Sequence, residues 1–449
     1  MPPLARRHFL TQSLAAAVGG GLTIISSQKR SIAQQAAQPT AEPNPVIENA
    51  RQAALDILKP SKKDLEHGLE LHRQSLVFDG YGFSPRCAID GERLKKAIAA
   101  KASPLELKDM REDMGMTRCA SDPVERKEFE QAWQASGVSC IFQNAGEEGQ
   151  DPMILIKRLA NFTYLTDMMK DFIVKAATPD DIEAAWKAGK RSLYLTGNGV
   201  PITQAWVSVP DEMRYIRVFF ELGIRMMHIT YNRRNMIGDG CAEPANGGLS
   251  DFGRSAVKEL NRIGVIADVA HSGWQTSLET AQVSEQPMVA SHTTCKSINE
   301  HIRSKPDKVI KAIADTGGYI GICCIPSFLN AKHDGDISAM LNNIDYVKKK
   351  FGVEHVTIGT DVAYSSRNSK AENKKGGPAP RTSKPWRSLW PEGSLGSNAK
   401  ASQTMAWTNW PLFTVGMVQR GYSDEDIQKI LAGNVMRVAR AVLKNRSVR

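Results

Sequence analysis

The sequence predicts a closed parallel barrel of the (β/α)8 TIM type. Eight short, near-continuously apolar runs alternate with helix-length segments, and strands apolar on both faces belong to a parallel sheet whose two sides are both covered. Two of the runs, Val265–Ala270 and Met288–Ala290, lead directly into histidines, His271 and His292. Parallel strands joined by a crossover helix lie side by side, so these imidazoles, 21 positions apart in sequence, face one crevice. In a TIM-type barrel that C-terminal face is where catalytic residues collect. A chain of 449 residues is long enough for such a barrel with extended loops. A doubly wound open sheet is the runner-up.

Taken in order, helical periodicity over 49–71 precedes a first strand at Leu76–Gly80, after which comes a long charged excursion, read as a loop over 84–134. The second strand is Val138–Asn144, with a helix over 152–176 behind it. The third is Ser192–Gly197 and the fourth Ile224–Thr230. A helix over 249–263, opened by Ser250, leads to the fifth and sixth strands, which end in His271 and His292. Gly318–Ile325 and His355–Asp361 are the seventh and eighth, with helices at Asp307–Asp315 and Ile337–Phe351 around them. Residues 365–400, rich in Pro, Gly, Ser and Lys, read as a second long loop that leaves the eighth strand at its carboxyl end and could cover the mouth. The chain closes with a helix from Tyr422 to Val442, whose start carries Ser423 as a cap and an acidic first turn. Residues 49–449 therefore read as a single barrel domain.

The first 33 residues read as an export signal. Arg6 and Arg7 precede Phe9-Leu10 and a weakly apolar run from Ser13 to Ile25, a pattern that resembles a twin-arginine signal, with small residues at Ser31-Ile32-Ala33 for cleavage. Residues 34–48, rich in Ala, Gln and Pro, read as a disordered linker. The expected location is the periplasm, with the twin-arginine export machinery as a partner. Of the net charge of +10, four positive charges lie in the leader, and the remainder calls for no nucleic acid. Seven scattered cysteines, none in a C-x-x-C pair, give neither a disulfide scaffold nor a zinc ribbon.

Several motifs occur in one order: Thr230-Tyr231-Asn232, Gly238-Asp239-Gly240-Cys241, Gly248-Leu249-Ser250-Asp251-Phe252-Gly253, Asp268-Val269-Ala270-His271-Ser272, Ala290-Ser291-His292-Thr293, His301-Ile302-Arg303 and Ile358-Gly359-Thr360-Asp361. Together they resemble the membrane (renal) dipeptidase family of metal-dependent, amidohydrolase-like barrels. The resemblance implies two zinc ions in the typical member, and it carries over unevenly. His271 and His292 match the histidines of the second zinc, Asp361 the aspartate beside the first zinc and the attacking water, and Arg303 the arginine that grips a substrate carboxylate. The family's first-strand Asp-Gly-His-x-Asp is here Asp79-Gly80-Tyr81-Gly82-Phe83, so both ligands of the first zinc are missing. The bridging glutamate falls near Thr196, and the histidine after the fourth strand is replaced by Tyr231.

The resemblance and its departures lead to an expectation of one divalent metal per chain, zinc before others, held by His271, His292 and Asp361. Tyr81 and Tyr231 would wall the substrate pocket, and Asp79 would be a structural acceptor. The implied activity is periplasmic, metal-dependent hydrolysis of dipeptides or similar small amides. Asp361 would carry the proton from water to the leaving amine while Arg303 holds the terminal carboxylate. Two alternatives stand beside it: a catalytically inactive, dipeptidase-like binding protein, and a non-hydrolytic enzyme acting on a small carboxylated substrate. Whether the chain forms a homodimer is left open by the sequence.

Overall fold

The computed structural model describes residues 43–146, 152–377, 390–392, 394–396 and 398–444. The expected signal and most of the linker lie outside those residues. Ten strands occur in chain order: β1 (Phe78–Gly82), β2 (Cys140–Asn144), β3 (Ile173–Lys175), β4 (Arg191–Gly197), β5 (Ile224–His228), β6 (Ile266–Asp268), β7 (Val289–Cys295), β8 (Ser304–Lys305), β9 (Tyr319–Ile322) and β10 (Val356–Ile358). Eight of them run β1-β2-β4-β5-β6-β7-β9-β10, every pairing parallel. These are the eight strands expected from the apolar runs. The two short additions, β3 on β4 and β8 on β7, are too brief for a sequence period to reveal them.

The barrel is nearly closed. No ladder joins β10 to β1, but the Asp361 amide donates to the Tyr81 carbonyl at 3.0 Å and the Thr360 amide to the Asp79 carboxylate at 2.9 Å. Gly80 allows the approach, since a Cβ there would come within 3.1 Å of the Ile358 carbonyl oxygen. Asp79 binds this seam together, accepting also from Thr360 Oγ1 at 2.6 Å and Trp407 Nε1 at 3.1 Å. It is thus a structural acceptor, as its position ahead of the motif suggests.

The interior is packed. Phe78, Phe142, Tyr194, Met226, Ile266, Val289 and Tyr319 form one buried cluster with Val435, Val438, Ala439 and Val442 of the last helix. Many of these strand residues are first in their strands, so the helix Asn434–Lys444 plugs the N-terminal end of the barrel. The outer face of the strands packs against the helices through a second, larger apolar cluster.

Several boundaries differ from the sequence reading, each for a local reason. The expected helix over 49–71 is two helices, Pro45–Leu58 and Lys62–Gln74, because Lys59 takes the left-handed conformation (φ 45°) before Pro60 and Ser61 caps a new start. The first of these begins inside the expected linker, capped by Asn44. The stretch 84–134, expected as a loop, contains the helices Gly91–Ala99, Pro104–Thr117 and Pro123–Ser136. Asp90, Ser103 and Asp122 cap them, and Leu94, Leu107 and Met114 supply a small apolar core of their own. The helix expected over 152–176 ends at Met168, and β3 comes next. Within 365–400, a helix at Ser369–Gly376 packs on Gly91–Ala99, with the Gly91 amide donating to Glu372 at 2.9 Å. Residues 378–389 of that expected loop lie outside the described residues.

Candidate active site

The C-terminal ends of β5, β6 and β7 bring three imidazoles together. His271 and His292, expected at adjacent strand ends, meet with their Nε2 atoms 2.9 Å apart. His271 Nδ1 lies 2.7 Å from Asn232 Oδ1, and His292 Nδ1 lies 2.8 Å from Ser291 Oγ. One consistent set of neutral tautomers results: His271 donates from Nδ1 to Asn232, His292 donates from Nε2 to His271, and Ser291 donates to His292. Both rings are buried, and burial, with the positive field of Arg303, holds both well below the ordinary imidazole range. Neutral imidazole is the metal-binding form. Moving the His292 proton from Nε2 to Nδ1, where Ser291 Oγ can accept it, would leave two convergent lone pairs.

His228, the last residue of β5, is the third ring, and the sequence reading overlooks it. Its centroid lies 5.3 Å from His271 and 5.4 Å from His292. Among the described residues, the group of ligand-type side chains that could share a metal ion is His228, Asp268 and His292, with ligand atoms all within 4.8 Å of one another. A signal for it exists, because His228 ends the apolar run of β5, as His271 and His292 follow the apolar runs of β6 and β7. Asp268 Oδ1 accepts from the Ala270 and Ser291 amides at 2.9 and 3.0 Å. Its Oδ2 pairs with His228 Nε2 at 2.7 Å, and His228 Nδ1 has no hydrogen-bond partner among the described residues. Burial pushes the Asp268 carboxyl up, yet the His228 ring and the Ser291 donor more than offset this and hold it low.

The other expected residues take varied places around these rings. Tyr81 stacks on His292 at 3.8 Å and donates its hydroxyl to Asn198 Oδ1 at 2.6 Å, while Tyr231 stacks on His271 at 4.1 Å. Both form walls of the mouth. Thr196 donates to the Met226 carbonyl at 3.0 Å. Asp361 lies just past β10 in the left-handed conformation (φ 57°), and burial pushes its carboxyl up to about 6, against the pull of Arg303 and His228. It does not join His271 and His292 within the ligand spacing that groups His228, Asp268 and His292. Arg303 is fully buried, and its two Nη groups donate to the Ala270 and His292 carbonyls. It braces the strand ends that carry the histidine pair. Beyond residue 389, the Trp390 ring lies 6.4 Å from His271 and the Ser394 carbonyl accepts from His301 Nε2 at 2.7 Å, so part of the expected cover does reach the mouth.

A parallel barrel with histidines on successive strand ends is shared by many hydrolases, and comparison with known proteins narrows it. The profile of membrane dipeptidases (peptidase family M19) matches residues 104–372. The chain belongs to the membrane dipeptidase family. Dipeptidase verJ of Clonostachys rogersoniana is 26% identical over 280 residues, covering 62% of each chain. Dipeptidase aclJ of Aspergillus oryzae is 29% identical over 207 residues, 44% of this chain and 47% of the relative. The matched region thus spans less than two thirds of these curated relatives. An amidohydrolase from Pseudomonas aeruginosa superposes with a TM-score of 0.60 at 25% identity, covering 84% of this chain and 99% of that one. The probable dipeptidase PvdM from the same organism gives 0.60 at 18% identity, with 86% and 99% covered, a likeness of fold.

Within the membrane dipeptidase family a metal at this mouth is the rule, so the fit of the residues present matters. His228, Asp268 and His292, with His271 Nε2 2.9 Å from that of His292, form a nitrogen-rich set with one carboxylate oxygen. Such a set suits zinc and its neighbours. Tetrahedral zinc with bonds of about 2.0–2.1 Å spaces two nitrogens about 3.4 Å apart, so the histidine pair would open by only about half an ångström. The residues fit a divalent metal ion.

Proposed function

We propose that this membrane dipeptidase family member is a periplasmic hydrolase of dipeptides or similar small amides, working with one divalent metal per chain. The observation that carries the reading is the convergence of His271 and His292 Nε2 at 2.9 Å beside the His228–Asp268 pair. His292, His228 and Asp268 would hold the ion, with His271 alongside. When bound, the ion supplies Lewis acidity for the scissile carbonyl. Asp361, whose carboxyl is raised toward neutrality, takes the proton of the attacking water and returns it to the leaving amine. Tyr81 and Tyr231, stacked on the histidines, hold the rings in place and keep bulk water from them. The paired arginines of the leader support the periplasmic location.

One observation favours a second reading, a binding protein that has lost the chemistry. Tyr81 replaces a first-strand ligand of the family and its ring covers His292. Elemental analysis of the mature protein, purified without added metal, separates the two. One divalent ion per chain is expected, with release of free amino acid from dipeptides; His292→Ala is expected to lose both while its circular dichroism stays that of the parent. Two ions would show that other ligands replace the missing first site. Absence of metal together with inactivity on a dipeptide panel would put the binding protein in front.

A further inference from the structure

A second cavity opens at the same end of the barrel, on the β1–β2 side. It has a volume of about 560 Å³ and lies between the loop after β1, the end of β2, and the helices Pro104–Thr117 and Pro152–Met168. That size is ordinary for a small-molecule site. Phe83, Met116 and Phe162 give it apolar walls. The Phe83 ring sits 6.0 Å from that of Tyr81, so one aromatic pair separates this cavity from the histidine centre.

Among the described residues, Arg86, Lys108, Arg111 and Arg158 line it, with Glu112 as the one carboxylate. Glu112 is committed, since it pairs with Arg158 and lies 3.7 Å from Lys157 Nζ. Asp109 and Asp113 of the same helix also turn to Lys157, at 2.6 and 3.5 Å. Lys108 is left with neither a hydrogen bond nor an ion pair among the described residues. Arg111 is held by neutral acceptors alone, Asn373 Oδ1 at 3.1 Å and the Gly377 carbonyl at 2.8 Å, and its buried Nε has no partner. Two cations without a carboxylate partner among the described residues, beside apolar walls, suit an anionic group carried on an apolar body. Glu112 on the rim disfavours a dianion, which points to a singly charged group.

We propose that this cavity binds the carboxylate of a small amphipathic acid, with Lys108 and Arg111 taking the charge and Phe83, Met116 and Phe162 the apolar body. The site is distinct from the histidine centre and stands whether or not that centre is catalytic. If the chain does hydrolyse amides, both substrate and product carry the group this cavity selects.

Titration calorimetry with phenylacetate on the mature protein tests it. Phenylacetate is expected to bind, and its neutral isostere phenylacetamide to bind about tenfold more weakly or worse, as the loss of a charge-assisted contact predicts. Lys108→Glu, which breaks no existing pair, should weaken phenylacetate by at least about tenfold, and Lys108→Ala by less. Binding should survive treatment with a chelator. Equal affinity for acid and amide, an unchanged constant in Lys108→Glu, preference for phenyl phosphate over phenylacetate, loss of binding with the metal, or no binding at all would each overturn the assignment.

Discussion

Arg303 illustrates how a residue's surroundings redirect its chemistry. Its family counterpart grips a substrate, yet here both Nη groups serve the carbonyls of Ala270 and His292, the residues that fix the histidine pair. Removing a buried donor leaves its acceptors bare, at about 1–3 kcal/mol each. Arg303→Ala should therefore lose about 2–5 kcal/mol of stability, read as a lower urea midpoint at unchanged slope. Arg303→Lys should recover only part of this, because one ammonium cannot span two carbonyls as a planar fork does. A wild-type midpoint with a raised KM for carboxylated amides would instead assign the guanidinium to substrate. His292 shows a similar dependence on context: which nitrogen is free for a metal is set by Ser291 and His271, a matter of one proton.

At the scale of elements, the outer shell is tied to the barrel by a few buried polar clamps. His72, in the helix Lys62–Gln74, sits between Thr414 Oγ1 at 2.8 Å and the Ser136 carbonyl at 2.9 Å. It joins the N-terminal helices to Pro123–Ser136 and to the helix Trp410–Gln419. Gly137 ends its helix at φ 64°, and a Cβ there would come within 2.6 Å of His72 Nε2. Burial pushes His72 down to about 4. As pH falls, the unfolded chain takes up this proton near the ordinary value of about 6.5, well before the folded one. The contribution is therefore whole above about 6.5 and lost progressively down to about 4, up to about 3 kcal/mol in all. Chemical unfolding between pH 7 and 4 should show a slope to which the buried His271 and His292 also contribute, and His72→Gln should make it shallower. A variant with the parent's slope would exclude His72 as its source.

For the whole molecule, the proposed leader would decide where the barrel works. Its residues lie outside those described, and the twin-arginine reading rests on Arg6 and Arg7 ahead of Phe9-Leu10. That export route reads the pair itself rather than charge alone. Replacing Arg6 and Arg7 together by lysine should leave uncleaved precursor in the cytoplasm, detected by fractionation and immunoblot. Normal delivery of the double variant would indicate another route, and with it a protein threaded unfolded rather than exported as a finished barrel.

The barrel, its strand order and the histidine pair were legible in the sequence because each depends on local facts. Apolar runs of strand length read directly from composition, and a histidine that ends such a run is carried to the mouth by the strand itself. The helices Asp307–Asp315 and Ile337–Phe351 were legible for the same reason. What only the tertiary structure decided are the partners met across closure. Asp79 meets Trp407, 328 positions away, and Arg303 reaches Ala270, 33 positions back. His228 pairs with Asp268, and Lys157 gathers Asp109 and Asp113 from a neighbouring helix. Side-chain hydrogen bonds and ion pairs act over a few ångströms, so their partners are fixed only after the sheet has curled and the helices have docked.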